Sequence, residues 1–193
     1  MKYNVQYTIQ NAVVVVDFRT RIDIYKILET FDDVEYEPTT FPGLIWKIDG
    51  PRCLLFSSGK AVIAGIKTNR VEDIKKLIEE KVVRRLREIG INVPDNFSFE
   101  IQNLVANADL GKPIDLNKVY AQKDKLVKKF NLKSISYDPE SFPGMRIALG
   151  PDVGVTCLVF SSGKVVIAGA KTEECIERAL EKLIDVLKEA GAL

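Results

Sequence analysis

The sequence contains no histidine, and this absence narrows the chemistry that the chain can perform. Histidine is the commonest general base in enzymes and the usual partner of a nucleophilic serine or cysteine. The three cysteines, Cys53, Cys157 and Cys175, are odd in number and form no C-x-x-C pair, so no disulfide framework or zinc site is indicated. We interpret them as buried, inert thiols. We expect no enzymatic activity, no metal and no cofactor.

Long apolar runs and a marked charge of either sign are also missing. No stretch approaches the roughly 18 residues that a membrane-spanning helix requires, and the N-terminus lacks the apolar core of a signal peptide. We therefore expect a protein that works inside the cell, without a membrane partner. The net charge is only +1, from 28 basic and 27 acidic residues. A nucleic-acid partner would thus require cations gathered on one surface, or apolar contacts that carry much of the binding.

What the sequence does contain is an internal duplication. Three segments return in the same order: IQNAVVVVD (9–17) as IQNLVANAD (101–109), YEPTTFPG (36–43) as YDPESFPG (137–144), and FSSGKAVIAGIKT (56–68) as FSSGKVVIAGAKT (160–172). The last pair is identical at eleven of 13 positions. Each half is therefore one structural unit written twice. We predict a first repeat over residues 1–95 and a second over 96–193, sharing one continuous sheet.

Each repeat reads as strands joined by tight turns, with two helical regions. A long strand opens each copy (6–18 and 98–110), and a short helix follows it. Ser-Gly pairs at 58–59 and 162–163 lie between apolar runs and predict hairpins. A long helix with an apolar stripe closes each copy, with Thr172 as the N-cap in the second. These patterns predict an α+β fold with helices on one face of an antiparallel sheet.

Such a fold requires apolar residues on only one face of the sheet, but these strands are apolar on both faces. Positions 12, 14 and 16 can pack beneath the helices, yet Val13 and Val15 on the opposite face are apolar too. A broad uncovered apolar face usually marks a binding site, the alternative being that another subunit or domain covers it. Asn11 and Asn103 occupy equivalent places among these apolar residues. We interpret them as a pair of hydrogen-bonding groups that an internal two-fold brings to the centre of the face.

Taken together, these motifs resemble the TATA-box-binding protein family. IQN before an apolar run, Y-[ED]-P-x-x-F-P-G and F-S-S-G-K-x-V-x-x-G-x-K each occur twice, and the resemblance covers Tyr7 to about Ala190. It implies a pseudo-two-fold saddle: a curved ten-stranded antiparallel sheet with four helices on its convex face. The concave face of such a saddle binds and kinks A·T-rich promoter DNA through the minor groove. The resemblance also implies transcription factor B and the RNA polymerase preinitiation complex as partners, and weak self-association through the concave face without DNA.

The resemblance assigns roles residue by residue. The wedges that enter base steps would be Phe41, Phe56, Phe142 and Phe160. Base edges would be contacted by Asn11, Val13, Leu54, Val62, Ala64, Asn103, Val105, Leu158, Val166 and Ala168. Phosphates would be contacted by Lys47, Lys60, Lys67, Arg146, Lys164 and Lys171. Asp138 and Glu140 would receive transcription factor B.

The chain also departs from the family pattern. Ala64 and Ala168 replace the threonines usual before the last glycine of each copy, and Ala148 stands where a phosphate-binding arginine is usual. The loop 151–155 is longer than in the family, and residues 120–131 extend another connection. The basic stretch 84–87 is interpreted as solvated helix surface, with contact to another factor or to upstream DNA as the alternative.

Two other hypotheses stay open beside a general transcription factor. The first is a divergent paralogue with weak TATA preference that acts mainly as a protein-interaction adaptor, which the replaced residues favour. The second is an enzyme that borrowed the saddle as a substrate-binding module, which the absence of histidine and of a metal constellation opposes. The compact core favours an archaeal source, hence a cytoplasmic (nucleoid) location, or a nuclear one if the source is eukaryotic.

Overall fold

The computed structural model describes all 193 residues and contains ten strands and four helical regions. The strands are β1 (Tyr7–Asp17), β2 (Val34–Glu35), β3 (Leu44–Lys47), β4 (Arg52–Leu55), β5 (Lys60–Ile66), β6 (Ser98–Asp109), β7 (Ser134–Ser136), β8 (Met145–Ala148), β9 (Thr156–Val159) and β10 (Lys164–Ala170). The helices are α1 (Ile24–Thr30), α2 (Val71–Ile78), α3 (Arg84–Glu88), α4 (Leu116–Ala121), α5 (Lys123–Phe130) and α6 (Glu173–Glu189).

All ten strands belong to one antiparallel sheet, in the order β2-β3-β4-β5-β1-β6-β10-β9-β8-β7. The strands follow the same order within each repeat, β2-β3-β4-β5-β1 in the first and β7-β8-β9-β10-β6 in the second, as a tandem duplication requires. This confirms the predicted α+β class. Contacts divide the chain into a first unit (Asn11–Gln102) and a second unit (Met1–Gln10 with Asn103–Leu193). The first ten residues therefore pack with the second repeat, while the predicted boundary near residue 95 remains a prediction.

Each repeat contains the predicted Ser-Gly hairpin, between β4 and β5 and between β9 and β10. The N–H of Gly59 donates to the Phe56 carbonyl at 3.0 Å, and Gly59 has a φ of +93°. This is a type I turn followed by a left-handed residue, the usual form of a three-residue hairpin loop. The chain leaving β1 then lies against the turn, because the Phe18 N–H donates to the Gly59 carbonyl at 2.9 Å. Gly163 plays the same part for Leu110 in the second repeat.

The core of each unit lies between its helices and one face of its strands. In β1 the side chains of Ala12, Val14 and Val16 are fully buried, while the residues between them are half-buried. In the second unit α6 presents a buried apolar stripe that includes Ile176, Leu180 and Leu187. The alternation follows directly from the two-residue period of a strand. Helices therefore cover a single face of the strands in each unit, as predicted.

Two of the four predicted helices are interrupted. The first-repeat helix passes from α2 through a π-helical segment (Glu79–Val83) into α3. In the second repeat, the helix predicted after the long strand breaks at Gln122 into α4 and α5. Thr172 caps α6 as predicted, since its side chain accepts a hydrogen bond from the Cys175 N–H. None of these helices has both the length and the hydropathy needed to cross a bilayer.

The basic stretch 84–87 is engaged within the first unit. The Arg85 guanidinium donates to both carboxylate oxygens of Asp33, at 2.8 and 3.0 Å, and lies 4.4 and 4.5 Å from the ring centroids of Phe31 and Trp46. Burial acts to raise the pKa of Asp33, but hydrogen bonds from Arg85 and Trp46 outweigh it and hold that pKa below its ordinary value. Arg87 donates to the Val93 carbonyl. Arg85 is thus half-buried packing, not solvated surface.

Candidate functional site

The face of the first unit that its helices leave uncovered, here called the open face, carries a continuous apolar row. Cross-strand pairing places Ile45 beside Leu54, Leu54 beside Val62, and Val62 beside Val15. All four are half-buried, whereas their sequence neighbours on the core side are fully buried. Directly paired side chains lie about 5 Å apart, so the row is contiguous. This is the uncovered apolar surface that the sequence predicted.

The open face of the second unit carries the matching row, but its ends are polar. Arg146 pairs with Leu158, Leu158 with Val166, and Val166 with Asn107. Leu158 and Val166 are half-buried like their first-unit counterparts, while Arg146 and Asn107 are exposed. The two units therefore share an apolar centre in this row and differ at both ends of it.

Asn11 and Asn103 are each held in one orientation by a β-bulge in their own unit. Between Ala12 and Val14 the register of β5 against β1 shifts, and Gly65 at the shift has a φ of +90°. Its N–H donates to Asn11 Oδ1 at 2.8 Å. The same contact joins the Gly169 N–H to Asn103 Oδ1, also at 2.8 Å. Because each amide oxygen is directed toward a backbone N–H, the NH₂ group is the part of each amide without that contact and can donate to a ligand on the open face.

The four phenylalanines form two pairs rather than core. The ring centroids of Phe41 and Phe56 lie 5.8 Å apart, and those of Phe142 and Phe160 lie 5.9 Å apart. None is buried, and Phe142 is 46% exposed. Each pair follows the apolar row at the β3–β4 or β8–β9 end. The helices of each unit leave these rings accessible.

Two glycines beneath the rings were not predicted as site residues. A Cβ on Gly43 would lie 2.6 Å from Phe41 Cε2, and one on Gly144 would lie 2.8 Å from Phe142 Cε1. Both distances are shorter than van der Waals contact, so only glycine leaves room for the rings as they stand. The F-P-G motif, present in both copies, is the signal from which this could have been found.

The predicted phosphate-binding cations fall into two groups. Lys60 forms an ion pair with Asp17 at 3.0 Å, and Lys47 forms one with Glu35 at 3.3 Å. A hydrogen bond from the Arg19 N–H, and then the Lys60 ammonium, hold the pKa of Asp17 below its ordinary value. The other four predicted cations, all exposed, are Lys67, Arg146, Lys164 and Lys171.

Arg52 is a cation of the open face that the sequence analysis missed. It pairs with Lys47 on one side and with Ala64 on the other, it is exposed, and it forms no ion pair or side-chain hydrogen bond. In the second unit the same places hold Ala148, Thr156 and Ala168. Alternation along Arg52-Cys53-Leu54-Leu55 could have placed Arg52 beside Leu54, because Cys53 and Leu55 are buried.

The second-unit turn that contains Asp138 and Glu140 is ordered by its own backbone. The N–H groups of Ser141 and Phe142 donate to the Asp138 carbonyl at 3.1 and 3.0 Å, and the Ser141 hydroxyl donates to the Asp138 carboxylate at 2.7 Å. Both acidic residues are exposed. The turn therefore holds the Asp138 carboxylate in place, and Glu140 lies exposed in the same turn.

The longer loop 151–155 is attached to α6. The Lys182 ammonium donates to Asp152 Oδ1 at 2.8 Å, and Arg178 donates to the Asp152 carbonyl at 3.2 Å. The Asp152 carboxylate is thereby directed toward α6, where the Lys182 ammonium compensates its negative charge. Ala148, on the neighbouring strand, is 5% exposed. Arg146 is then the cation that β8 places on the open face.

Comparisons with known proteins agree with these motifs. The family model described as transcription factor TFIID (or TATA-binding protein, TBP) matches residues 6–89 and 98–190. The TATA-box-binding proteins of Archaeoglobus fulgidus and Methanocaldococcus jannaschii are each 36% identical over 187 residues, which is 96% of this chain and 96% and 95% of theirs. That of Sulfurisphaera tokodaii is 35% identical over 189 residues, 97% of this chain and 89% of the relative.

A solved structure has the same fold. The structure of Methanococcus jannaschii TBP superposes with a TM-score of 0.76 at 36% sequence identity, covering 95% of this chain and 99% of that one. Sequence and structure thus match over nearly the whole length of both proteins, and the resemblance predicted from the repeated motifs is confirmed. The chain belongs to the TATA-box-binding protein family.

Proposed function

We propose that the chain is a general transcription initiation factor that binds A·T-rich promoter DNA through the minor groove. The observation that carries the proposal is the open face of each unit, which combines an apolar row, an asparagine whose oxygen is bound to backbone, and an accessible pair of phenylalanines. The relatives are named for binding the TATA box. That activity is the one we assign to this chain.

Preference for A·T pairs follows from what the open face lacks. In the minor groove an A·T pair presents only the acceptors adenine N3 and thymine O2, whereas a G·C pair adds the guanine amino donor. The Asn11 and Asn103 amides, one in each unit, donate to such acceptors. An amino group pressed against Val13, Val62 or Val105 would lose its hydrogen bonds to water without replacement, at about 1–3 kcal/mol.

The phenylalanine pair of each unit acts as a wedge. Unstacking a base step costs a few kcal/mol, and an inserted apolar ring refills the gap and bends the duplex. Phe41 with Phe56, and Phe142 with Phe160, are accessible and stand at the end of an apolar row, as wedges must. Bending then brings more of the open face into contact with the minor groove.

Cations at the rim hold the phosphate backbone without reading sequence. Arg146, Lys164 and Lys171 are exposed, and Arg52 joins them in the first unit. Lys47 and Lys60 exchange their carboxylate partners for phosphates when DNA binds. Such contacts release counterions, so binding weakens as salt rises.

Transcription factor B is the partner we assign to the turn of Asp138 and Glu140, and recruitment of RNA polymerase follows through it. The support is the exposed pair of acidic residues in this turn, of which Asp138 is held in place by Ser141. The same uncovered apolar face predicts weak self-association when DNA is absent.

A second function is favoured by one feature of the second unit. Where the first unit places Lys47 and Arg52 on its open face, the second places Ala148 and Thr156. The second unit therefore has fewer cations to bind phosphates, which favours a divergent paralogue that acts mainly as a protein-interaction adaptor.

A mobility-shift titration separates these functions. We expect tight binding to an A·T-rich duplex, and binding weakened at least tenfold when guanines interrupt the site. We also expect a slower-moving complex when transcription factor B is added. Binding that ignores the guanines would remove the initiation-factor proposal, and tight binding to transcription factor B without DNA preference would establish the adaptor.

Bending tests the wedges directly. Replacing Phe142 and Phe160 by alanine should reduce the bend angle, measured by circular permutation of the site. Tyr25→Ala is the matched control, because Tyr25 is also an exposed aromatic (63%) but lies on α1. A wild-type bend angle in the double variant would show that the rings do not enter the base stack.

A further inference from the structure

One of the positions at which the two units differ lies at the β1 or β6 end of the row on the open face. Val15 in β1 and Asn107 in β6 are equivalent in the repeated motif, nine-residue segments that begin at Ile9 and Ile101. Each is the last residue of its row on the open face. Val15 pairs with Val62, and Asn107 pairs with Val166. One end of the row is therefore apolar in the first unit and an amide in the second.

Asn107 differs from the two central asparagines in its hydrogen bonding. The Oδ1 atoms of Asn11 and Asn103 accept from backbone N–H groups of the bulges, so each oxygen is directed toward backbone and the NH₂ group is the part of the amide that has no such contact. Asn107 is exposed, and its side chain makes no hydrogen bond within the chain. Its amide therefore offers both an acceptor and a donor.

The surroundings of Asn107 can accommodate a base edge. A hollow of about 350 Å³ is lined by Asn107, Phe160, Ser162, Lys164 and Val166, together with backbone neighbours in β6 and β10. The hollow joins the apolar row to one ring of the second phenylalanine pair. A cation, Lys164, stands at its rim for the adjoining phosphate.

We propose that Asn107 lets the second unit accept a G·C pair at a place where the first unit, with Val15, requires A·T. The proposal rests on the minor-groove function argued above. Asn107 Oδ1 accepts from the guanine amino group, the one donor that a G·C pair adds to the groove. At an A·T pair the amide turns and its NH₂ donates to adenine N3 or thymine O2 instead. Val15 offers no acceptor, so a guanine amino group there is buried without a partner.

The recognition sequence of this chain is therefore asymmetric although its fold is duplicated. A single G·C pair at the place that Asn107 contacts orients the protein on an otherwise A·T site, because the protein binds with its second unit over that pair. The choice of orientation comes from one amide and needs no partner protein.

The test uses an A·T-rich duplex of inverted symmetry, in which one pair at a time is replaced by G·C or by inosine·C. Inosine lacks the amino group and so isolates its effect. We expect G·C to bind within about threefold of inosine·C at one position and its symmetry mate, and at least about tenfold more weakly elsewhere. A duplex with G·C at both mates should be bound at least about tenfold more weakly, because only one unit accepts it.

Variants at the two equivalent positions test whether Asn107 is the residue that makes a G·C pair tolerated. Asn107→Val and Asn107→Ala should both abolish the tolerated position, and Val15→Asn should restore binding to the duplex with two G·C pairs. Both residues lie on the surface side of their strands, and thermal melting checks that each variant is folded. Tolerance that survives in Asn107→Ala, or an equal guanine penalty at every position in the wild type, would overturn the proposal. Equal binding of G·C and inosine·C everywhere would instead contradict the minor-groove function itself.

Discussion

At the scale of single residues, the space beneath the phenylalanine pairs depends on two glycines. Neither Gly43 nor Gly144 has a positive φ, so their backbones could be adopted by any residue. What excludes a side chain is the ring above, at 2.6 Å from Phe41 and 2.8 Å from Phe142. The chain thus keeps glycine here for the position of an aromatic ring rather than for a turn.

Gly144→Ala should tilt the Phe142–Phe160 pair and weaken DNA binding about tenfold, since a displaced wedge loses on the order of 1–2 kcal/mol of contact. Gel-shift affinity and bend angle are the measurements. Thr39→Ala is a control, because Thr39 is an exposed residue of the matching first-repeat turn. A wild-type bend in Gly144→Ala would mean that the rings adjust without cost.

Arg52 is expected to contact phosphate, because it is exposed on the open face beside Lys47 and lacks a partner of its own. Arg52→Ala should weaken binding to all sequences alike and reduce the slope of log affinity against log salt by about 1. The control is Arg84→Ala, which removes an exposed arginine paired with Glu88 on α3. An unchanged salt slope in Arg52→Ala would remove this residue from the interface.

At the scale of elements, the hairpins hold the chain that leaves each long strand. A Cβ on Gly59 would lie 2.0 Å from the Thr20 carbonyl oxygen, and one on Gly163 would lie 2.1 Å from that of Lys112. Hydrogen bonds to the hairpins from the residues on either side of Thr20 and Lys112 hold this backbone in place, so it cannot move aside as a flexible side chain would. Each hairpin glycine therefore serves both a left-handed turn and a close crossing of two segments.

Gly59→Ala should lower the free energy of unfolding by about 3 kcal/mol or more, because strain at positive φ adds to a backbone clash. Urea denaturation followed by fluorescence of Trp46 measures it. Gly50→Ala is the matched control, since Gly50 also has a positive φ (112°) but a Cβ there meets nothing within 4 Å. That variant should lose only about 1–2 kcal/mol. Equal losses in the two variants would show that the crossing with Thr20 is unimportant.

At the scale of the whole molecule, the chain lacks side chains that ordinarily titrate near neutral pH. The chain has no histidine, so no side chain with an ordinary pKa between about 5 and 8 is present. The carboxylates with lowered pKa values all have cationic or N–H donor partners, and they are Asp17, Asp33, Asp152, Asp185 and Glu189. Burial raises the pKa of Cys53 and of Cys157 to about 12.

The free energy of unfolding should therefore be nearly constant between about pH 5 and 8. Below about pH 4 it should fall, because a lowered folded pKa means that the unfolded state takes up protons first. Above about pH 9 it should fall again, because Cys53 and Cys157 ionise in the unfolded chain while burial keeps them protonated in the folded one. Urea titrations across pH measure this, and a transition near pH 6.5 would contradict it.

Much of the fold was predictable because its signals are local or repeated. The duplicated motifs, the Ser-Gly hairpins and the period-two alternation each depend on residues a few positions apart, and they indicated the strands, the tandem repeat and the uncovered face. The four phenylalanines were identified by their motifs, and the structure leaves them accessible. The break at Gln122 was not predicted, because the apolar spacing continues through it.

The sequence by itself determined the duplication, the alternation and therefore a sheet with one face left bare. The tertiary structure decided how that face is equipped: which way the Asn11 amide points, that Lys60 is paired with Asp17, and that Arg52 stands beside Lys47. These contacts join residues far apart in the chain, 54 positions for Asn11 and Gly65. A strand's own pattern shows which face a side chain occupies, but its neighbour on that face comes from the register of another strand, which only folding sets.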